Sequence, residues 1–212
     1  MAKLPARPPA LADLQAIAPI WKLVPAGSLW WRVFAGSGPH PSNWSQFRSW
    51  GPSSSRFDHH LLGPDGKSCT QARAILYAAA RFDTCLAEYF QARRLIDRSR
   101  DDVTVVAFEV ARPVKLLDLW GPFSTQLGAS GVLSSGPHGP SRAWSRALYE
   151  AYPSADGLHY ESSMLPGSPA MAIWERAVNA VPAVPRLHRA LADPVLWVPL
   201  DNAARLLGYG LL

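Results

Sequence analysis

The residues best suited to chemistry are a helical carboxylate, a loop arginine, and a tyrosine and a serine on strands. Glu88 lies in TCLAEYF. On a helical wheel started at Cys85, the apolar arc holds Cys85, Tyr89, Ala92 and Ile96, flanked by Leu86, Phe90 and Leu95. Glu88 falls on the side of that arc, between Leu95 and Ala92. A carboxylate there is either desolvated or lines a cavity, and both are costly without a partner. Two readings stay open: a functional acid, or the structural partner of an arginine such as Arg93, which also intrudes on the arc.

Tyr77 sits just upstream in ILYAAA and shares a strand face with Ile75, as a core tyrosine would. Arg56 lies in SSSRFD, where a guanidinium can fork onto phosphate with serine hydroxyls and backbone amides helping. A solvated loop arginine is the alternative. His59 and His60 are adjacent and point apart on most backbones. No acidic or sulfur ligand is suitably spaced from them, so no metal site is expected. Ser162, in LHYES, shares a face with Leu158 and Tyr160, and suits a ligand contact or a satisfied core hydroxyl. No G-x-S-x-G elbow surrounds it, so a hydrolase nucleophile is not indicated. The stretch SSGPHGPS could cradle phosphate but lacks P-loop and Rossmann spacing.

These side chains need elements to hold them. Residues 1–10 are Pro-rich and read as a loose arm. A short amphipathic helix is expected over 10–20, ended by Pro19. LWWRVF predicts a strand over 28–34, with Trp30, Arg32 and Phe34 on one face. Residues 35–67 are rich in Gly, Ser and Pro and read as a long binding or lid loop. A strand over 74–78 precedes a helix from Thr84, as N-cap, to Ile96 or Arg98. Strands are expected over 103–110 and 114–119. A Gly/Ser-rich stretch then leads to a helix capped by Ser141 and stopped by Pro153. The turn Asp156-Gly157 precedes the strand LHYES, a further strand covers 170–173, and residues 195–200 read as β-like. The order is that of a single α+β domain with short strands and few helices.

Composition narrows the classes. Of 212 residues, 48 % are hydrophobic and 17 % charged, which places the chain among globular proteins with a sizeable core. Cys69 and Cys85 are too few for a disulfide framework and fit a reducing cytosol, so a cytoplasmic location is expected. No apolar run reaches the length of a membrane span, and prolines with Asp13 spoil a signal-peptide core. The formal charge of +5 comes without a basic stripe, so direct nucleic-acid binding is not expected. A pocket for a small anion uses that charge better.

The order of the motifs carries more than any one of them. WRVF, SRFD, LYAAARFDTCLAEYF, DGLHYES and AMAIW together resemble the RES-domain family over most of the chain. Arg56 matches that family's arginine, Glu88 its glutamate, Ser162 its serine and Tyr77 its usual tyrosine. Arg32 matches a second arginine in the first strand. The chain departs from compact members by an insertion between Arg56 and Tyr77.

The resemblance implies an ADP-ribosyltransferase-like fold: short strands in a split central β-sheet flanked by a few helices. It implies an N-terminal arm and short helix over 1–27, then a RES domain over 28–212. It also implies a toxin that consumes NAD⁺ as substrate, uses no metal, and is neutralised by an Xre-like helix-turn-helix antitoxin, with a homodimer possible within that complex. Cleaving the nicotinamide–ribose bond builds an oxocarbenium-like cation, which a carboxylate stabilises more than the ground state. On this reading Glu88 and Arg56 are catalytic. Arg32 and Arg56 clamp the pyrophosphate, and Tyr77 and Ser162 position the nicotinamide-ribose end. Hydrolysis, phosphorolysis and transfer to a protein all remain open, as does a non-catalytic binding module.

Overall fold

The computed structural model describes residues 7–212. The expected arm over 1–10 therefore lies outside the described residues for its first six positions. Helix α1 (Leu11–Gln15) is shorter than expected and buries Leu14. Strands β1 (Trp21–Val24), β2 (Leu29–Ala35), β3 (Arg48–Gly51) and β4 (Cys69–Ala79) follow. Helix α2 (Phe82–Tyr89) leads to β5 (Leu95–Ile96), β6 (Val103–Glu109) and β7 (Val114–Asp118). Short helices α3 (Phe123–Gln126) and α4 (Val132–Ser135) precede the long α5 (His138–Ala151). Strands β8 (Gly157–Glu161), β9 (Pro169–Trp174) and β10 (Leu187–Ala190), helix α6 (Trp197–Leu207) and β11 (Gly210–Leu211) complete the chain.

Among the described residues the main sheet runs β1-β7-β8-β9-β4-β2-β6-β10, with β3 on β4. Its long ladders are antiparallel except β7 with β8. The sheet nearly divides between β4 and β2, which meet at one residue pair, Trp31 with Ala79. On the other side, β2 pairs with β6 along its whole length. This is the α+β architecture with a split sheet that the resemblance implies.

Period-two burial explains how the sheet feeds its cores. Ile75 packs with Trp144, Leu148 and Trp174 beneath α5, and Tyr77 leans on the same cluster. Leu76 and Ala78 point the other way, against Phe108, Met171 and Ile173. A third cluster joins Val33 and Val105 to Leu86 of α2 and Leu200 of α6. Gly157 is needed where β8 enters the sheet. A Cβ there would lie 2.3 Å from the Ala172 carbonyl oxygen.

Three expectations are corrected. The helix begins before Thr84 and ends at Tyr89, not near Ile96. Both Arg93 and Arg94 N–H turn back to the Phe90 carbonyl, Arg94 takes a left-handed backbone, and Leu95–Ile96 pairs in parallel with Gly210–Leu211. Residues 195–200 are helical rather than β-like, because Asp193 caps the turn through the Val195 N–H with Pro194 at its start. Finally, α5 starts at His138, and Ser141 is an interior residue whose hydroxyl donates to the His138 carbonyl.

Candidate active site

A cleft of about 540 Å³ opens beside the seam between β2 and β4. Arg32 enters it from β2, Tyr77 from β4 and Glu88 from the last turn of α2. Arg56 comes from the loop between β3 and β4. Ser162 stands just behind, at the end of β8. The five residues singled out from sequence thus converge on one place.

Glu88 is half-buried and forms no ion pair among the described residues. Arg93, its alternative partner, is exposed beyond the end of α2. Instead, Ser162 Oγ donates to Glu88 Oε1 at 2.5 Å. Ser162 is 2 % exposed, and its oxygen accepts from the Met164 and Leu165 N–H groups at 3.2 and 3.1 Å. With both lone pairs engaged, the single hydroxyl proton is directed at the carboxylate. Ser162 therefore fixes the acid and does not line the cleft itself.

Among the described residues Arg32 is a cation without a counter-charge. It has no ion pair among the described residues, and its Nε is buried without a hydrogen-bond partner. Burial lowers its pKa to about 10, with Cys85 opposing and Arg48 adding to the shift. A guanidinium in that state is a ready site for an oxyanion.

Arg56 is held more firmly. Its Nη1 donates to the Leu133 and Gly136 carbonyls at 3.0 and 2.7 Å, which docks the Gly/Ser-rich stretch before α5 against the cleft. Burial lowers its pKa, and the Glu88 charge opposes that shift. The Tyr77 hydroxyl donates to the Arg56 carbonyl at 2.8 Å, so this tyrosine is also a brace for the loop. Burial raises the Tyr77 hydroxyl above its usual value and keeps it a neutral donor.

Sequence reasoning missed Asp58, which organises the loop. Its buried carboxylate accepts from Arg48 at 2.9 Å, from the Ser53 N–H and hydroxyl at 2.6 and 2.8 Å, and from the His60 N–H at 3.0 Å. His60 Nδ1 adds a fifth bond at 2.5 Å. Beside it, Phe57 adopts a left-handed backbone (φ 58°), and its carbonyl accepts from Ser145. The His60 ring also fills the space where a Cβ of Gly51 would stand. His59 turns away to Glu175 at 3.4 Å. Each histidine faces a carboxylate of its own. Among the described residues no group of three His, Cys, Asp or Glu side chains is placed to hold a metal.

Tyr160 and His40 also line the cleft. Tyr160 was legible as the inward neighbour of Ser162 by alternation; His40, in an irregular loop, gave no signal. Cys85 borders the cleft too, but burial pushes its thiol up to about 12, which leaves it protonated and a poor nucleophile. No helix among the described residues is long and apolar enough to cross a membrane.

The arrangement can hold an anion at Arg32 and Arg56 while a fixed carboxylate faces the same space. Comparison with known proteins bears on the family and the fold. The family profile described as the RES domain matches residues 29–201. A solved structure described as the M. tuberculosis MbcT–MbcA toxin–antitoxin complex is similar, with a TM-score of 0.54 at 14 % identity. That similarity spans 91 % of this chain and 96 % of the other, and at this identity it speaks for the fold alone. No curated protein sequence matches.

Proposed function

The chain belongs to the RES-domain family, and from that premise we propose that it is an NAD⁺-consuming enzyme that cleaves the nicotinamide–ribose bond. One observation carries the reading: a carboxylate locked by Ser162, with no ion pair among the described residues, shares a cleft with an arginine whose Nε has no hydrogen-bond partner among them. The cleft volume lies within the range of small-molecule sites.

Arg32 and the free part of the Arg56 guanidinium hold the pyrophosphate. Tyr77 and Tyr160 wall the nicotinamide-ribose end. Glu88 accepts a ribose hydroxyl and stabilises the positive charge that develops as the bond to nicotinamide breaks. The leaving nicotinamide is neutral, so no general acid is required. Because Ser162 holds Glu88 in place beforehand, little reorganisation accompanies the transition state.

The biological role that fits is the toxin of a toxin–antitoxin pair, acting in the cytoplasm and restrained by an Xre-like antitoxin. Its support is the family membership and the complex named for the similar structure. The RES domain is assigned to residues 28–212, preceded by the segment 1–27.

Incubating the purified chain with NAD⁺ and following free nicotinamide tests the activity, with Glu88→Gln beside it and phosphate present or absent. The native chain is expected to release nicotinamide and the variant to lose at least a hundredfold, on the order expected for the main electrostatic group. Equal release by both would remove Glu88 from the chemistry. Release with no transfer of label to protein separates hydrolysis or phosphorolysis from protein ADP-ribosylation.

A further inference from the structure

A second cavity, of about 620 Å³, is lined by other residues of the loop that carries Arg56 and by α5. It shares no lining residue with the cleft. Arg142 and Arg146 of α5 form one wall, Ser53, Ser54 and Ser68 another, and Leu61 and Leu62 the rim.

The two arginines are four residues apart on one helix, so they share a face and repel each other. Neither has an ion pair among the described residues. Arg142 uses Nη1 on the Ser53 carbonyl at 2.7 Å, while Arg146 makes no hydrogen bond to any described group. Burial lowers the pKa of Arg146, Arg142 and Arg73 lower it further, and Asp58 opposes them. That acid cannot serve as a partner, since its carboxylate already takes five bonds from Arg48, Ser53 and His60. Glu150, one turn beyond Arg146, is bound to Arg73. Two half-buried like charges thus line a hollow with no counter-charge among its described lining residues.

A single dianion would neutralise both arginines and turn their repulsion into attraction. Leu61 and Leu62, 48 % and 61 % exposed, offer an apolar surface next to that position. We propose that this cavity is a second ligand site, taking a phosphoryl dianion between Arg142 and Arg146. The phosphoryl group is either free phosphate or the head of a phosphate ester whose body lies on the two leucines. The site borders the hydrogen bonds that hold the Arg56 loop, through Arg142 to Ser53 and His138 to Ser54.

Calorimetric titration of the full chain with inorganic phosphate, in low salt and without NAD⁺, tests the site independently of any cleavage activity. Because Arg32 is itself placed to hold an oxyanion in the cleft, the titrations are run in Arg32→Gln, which is expected to retain one phosphate site. Arg146→Gln is expected to weaken binding about tenfold, and Arg146→Glu to abolish it, with melting curves no lower than the native one. A parallel titration of Arg32→Gln with phenyl phosphate, an ester unrelated to NAD⁺, identifies the source. Tighter binding than phosphate indicates an ester using Leu61 and Leu62, and equal or weaker binding indicates phosphate itself. Absence of binding in Arg32→Gln, or equal affinity once Arg146→Gln is added to it, would overturn the proposal.

Discussion

Ser162 points its only proton at Glu88, at 2.5 Å, because two backbone N–H groups occupy its oxygen from the other side. The polarity of this bond is set by the loop after β8 and not by the acid. Ser162→Ala removes one charge-assisted hydrogen bond, worth about 1.5–3 kcal/mol. If the carboxylate is positioned mainly through it, kcat falls roughly tenfold to a hundredfold. KM is expected to move little, since Ser162 does not line the cleft. Steady-state nicotinamide release separates the two parameters, and a change confined to KM would contradict the positioning role.

Arg32 is expected to trade stability for binding. Its guanidinium is desolvated and has no ion pair among the described residues, so replacing it with a neutral side chain relieves a cost of folding. Arg32→Gln should raise stability by about 1 kcal/mol in urea unfolding. The same change should raise the KM for NAD⁺ at least tenfold, because a charge-assisted contact to pyrophosphate is lost. A variant that is both less stable and unchanged in KM would show that the arginine has a structural role only.

Tyr77→Phe removes the donor to the Arg56 carbonyl while leaving the ring in place. A partly buried carbonyl then lacks its partner, at a cost of about 1–2 kcal/mol seen as a lower Tm. The loop carrying Arg56 loosens at that point, so KM should rise by several-fold. Tm and KM that both match the native chain would remove the brace from the account.

The pH response at Glu175 has a definite sign. Burial alone would raise its carboxyl, but bonds from His59, the Ala74 N–H and Tyr149 outweigh that and bring it from 4.5 to about 2. The folded value lies below the unfolded one. The acid therefore stabilises fully above about pH 5 and loses this contribution as pH falls towards 2. His59 adds to the loss, since burial lowers its pKa and the unfolded chain takes up its proton more readily. Glu175→Gln should melt below the native chain at neutral pH, with the gap closing between about pH 4.5 and 2. Thermal melts across that range provide the check, and a gap that widens in acid would reverse the assignment.

The parts of this site legible in sequence were those governed by local periodicity. Alternation put Tyr77 on the Ile75 face and Tyr160 on the Ser162 face, and the helical wheel placed Glu88 at the edge of its apolar arc. Asp58 was not legible, because its importance comes from Arg48 and Ser53, which reach it only after the loop folds back. The overlong helix after Thr84 has a similar origin. Leu95 and Ile96 continue the helical pattern, but their pairing with Gly210 and Leu211 is a long-range contact that local propensity does not contain. Strand β1 likewise owes its existence to its partner β7, since Trp21–Val24 alternates only weakly.

The narrow seam between β4 and β2 bears on when, during synthesis, the proposed activity can arise. The chain crosses it repeatedly: β1 on one side, β2 on the other, β4 back, β6 across, β7 to β9 back again and β10 across once more. Arg32, Glu88 and Ser162 are thus contributed by different passes, and any nascent chain released before residue 162 lacks the hydroxyl that orients the acid. The strand that closes the far edge, Leu187–Ala190, emerges later still. A fragment that ends before Ser162 lacks the bond that holds Glu88, so the proposed NAD⁺ cleavage is expected to wait for the segment that supplies it. The proposed antitoxin has that interval in which to bind.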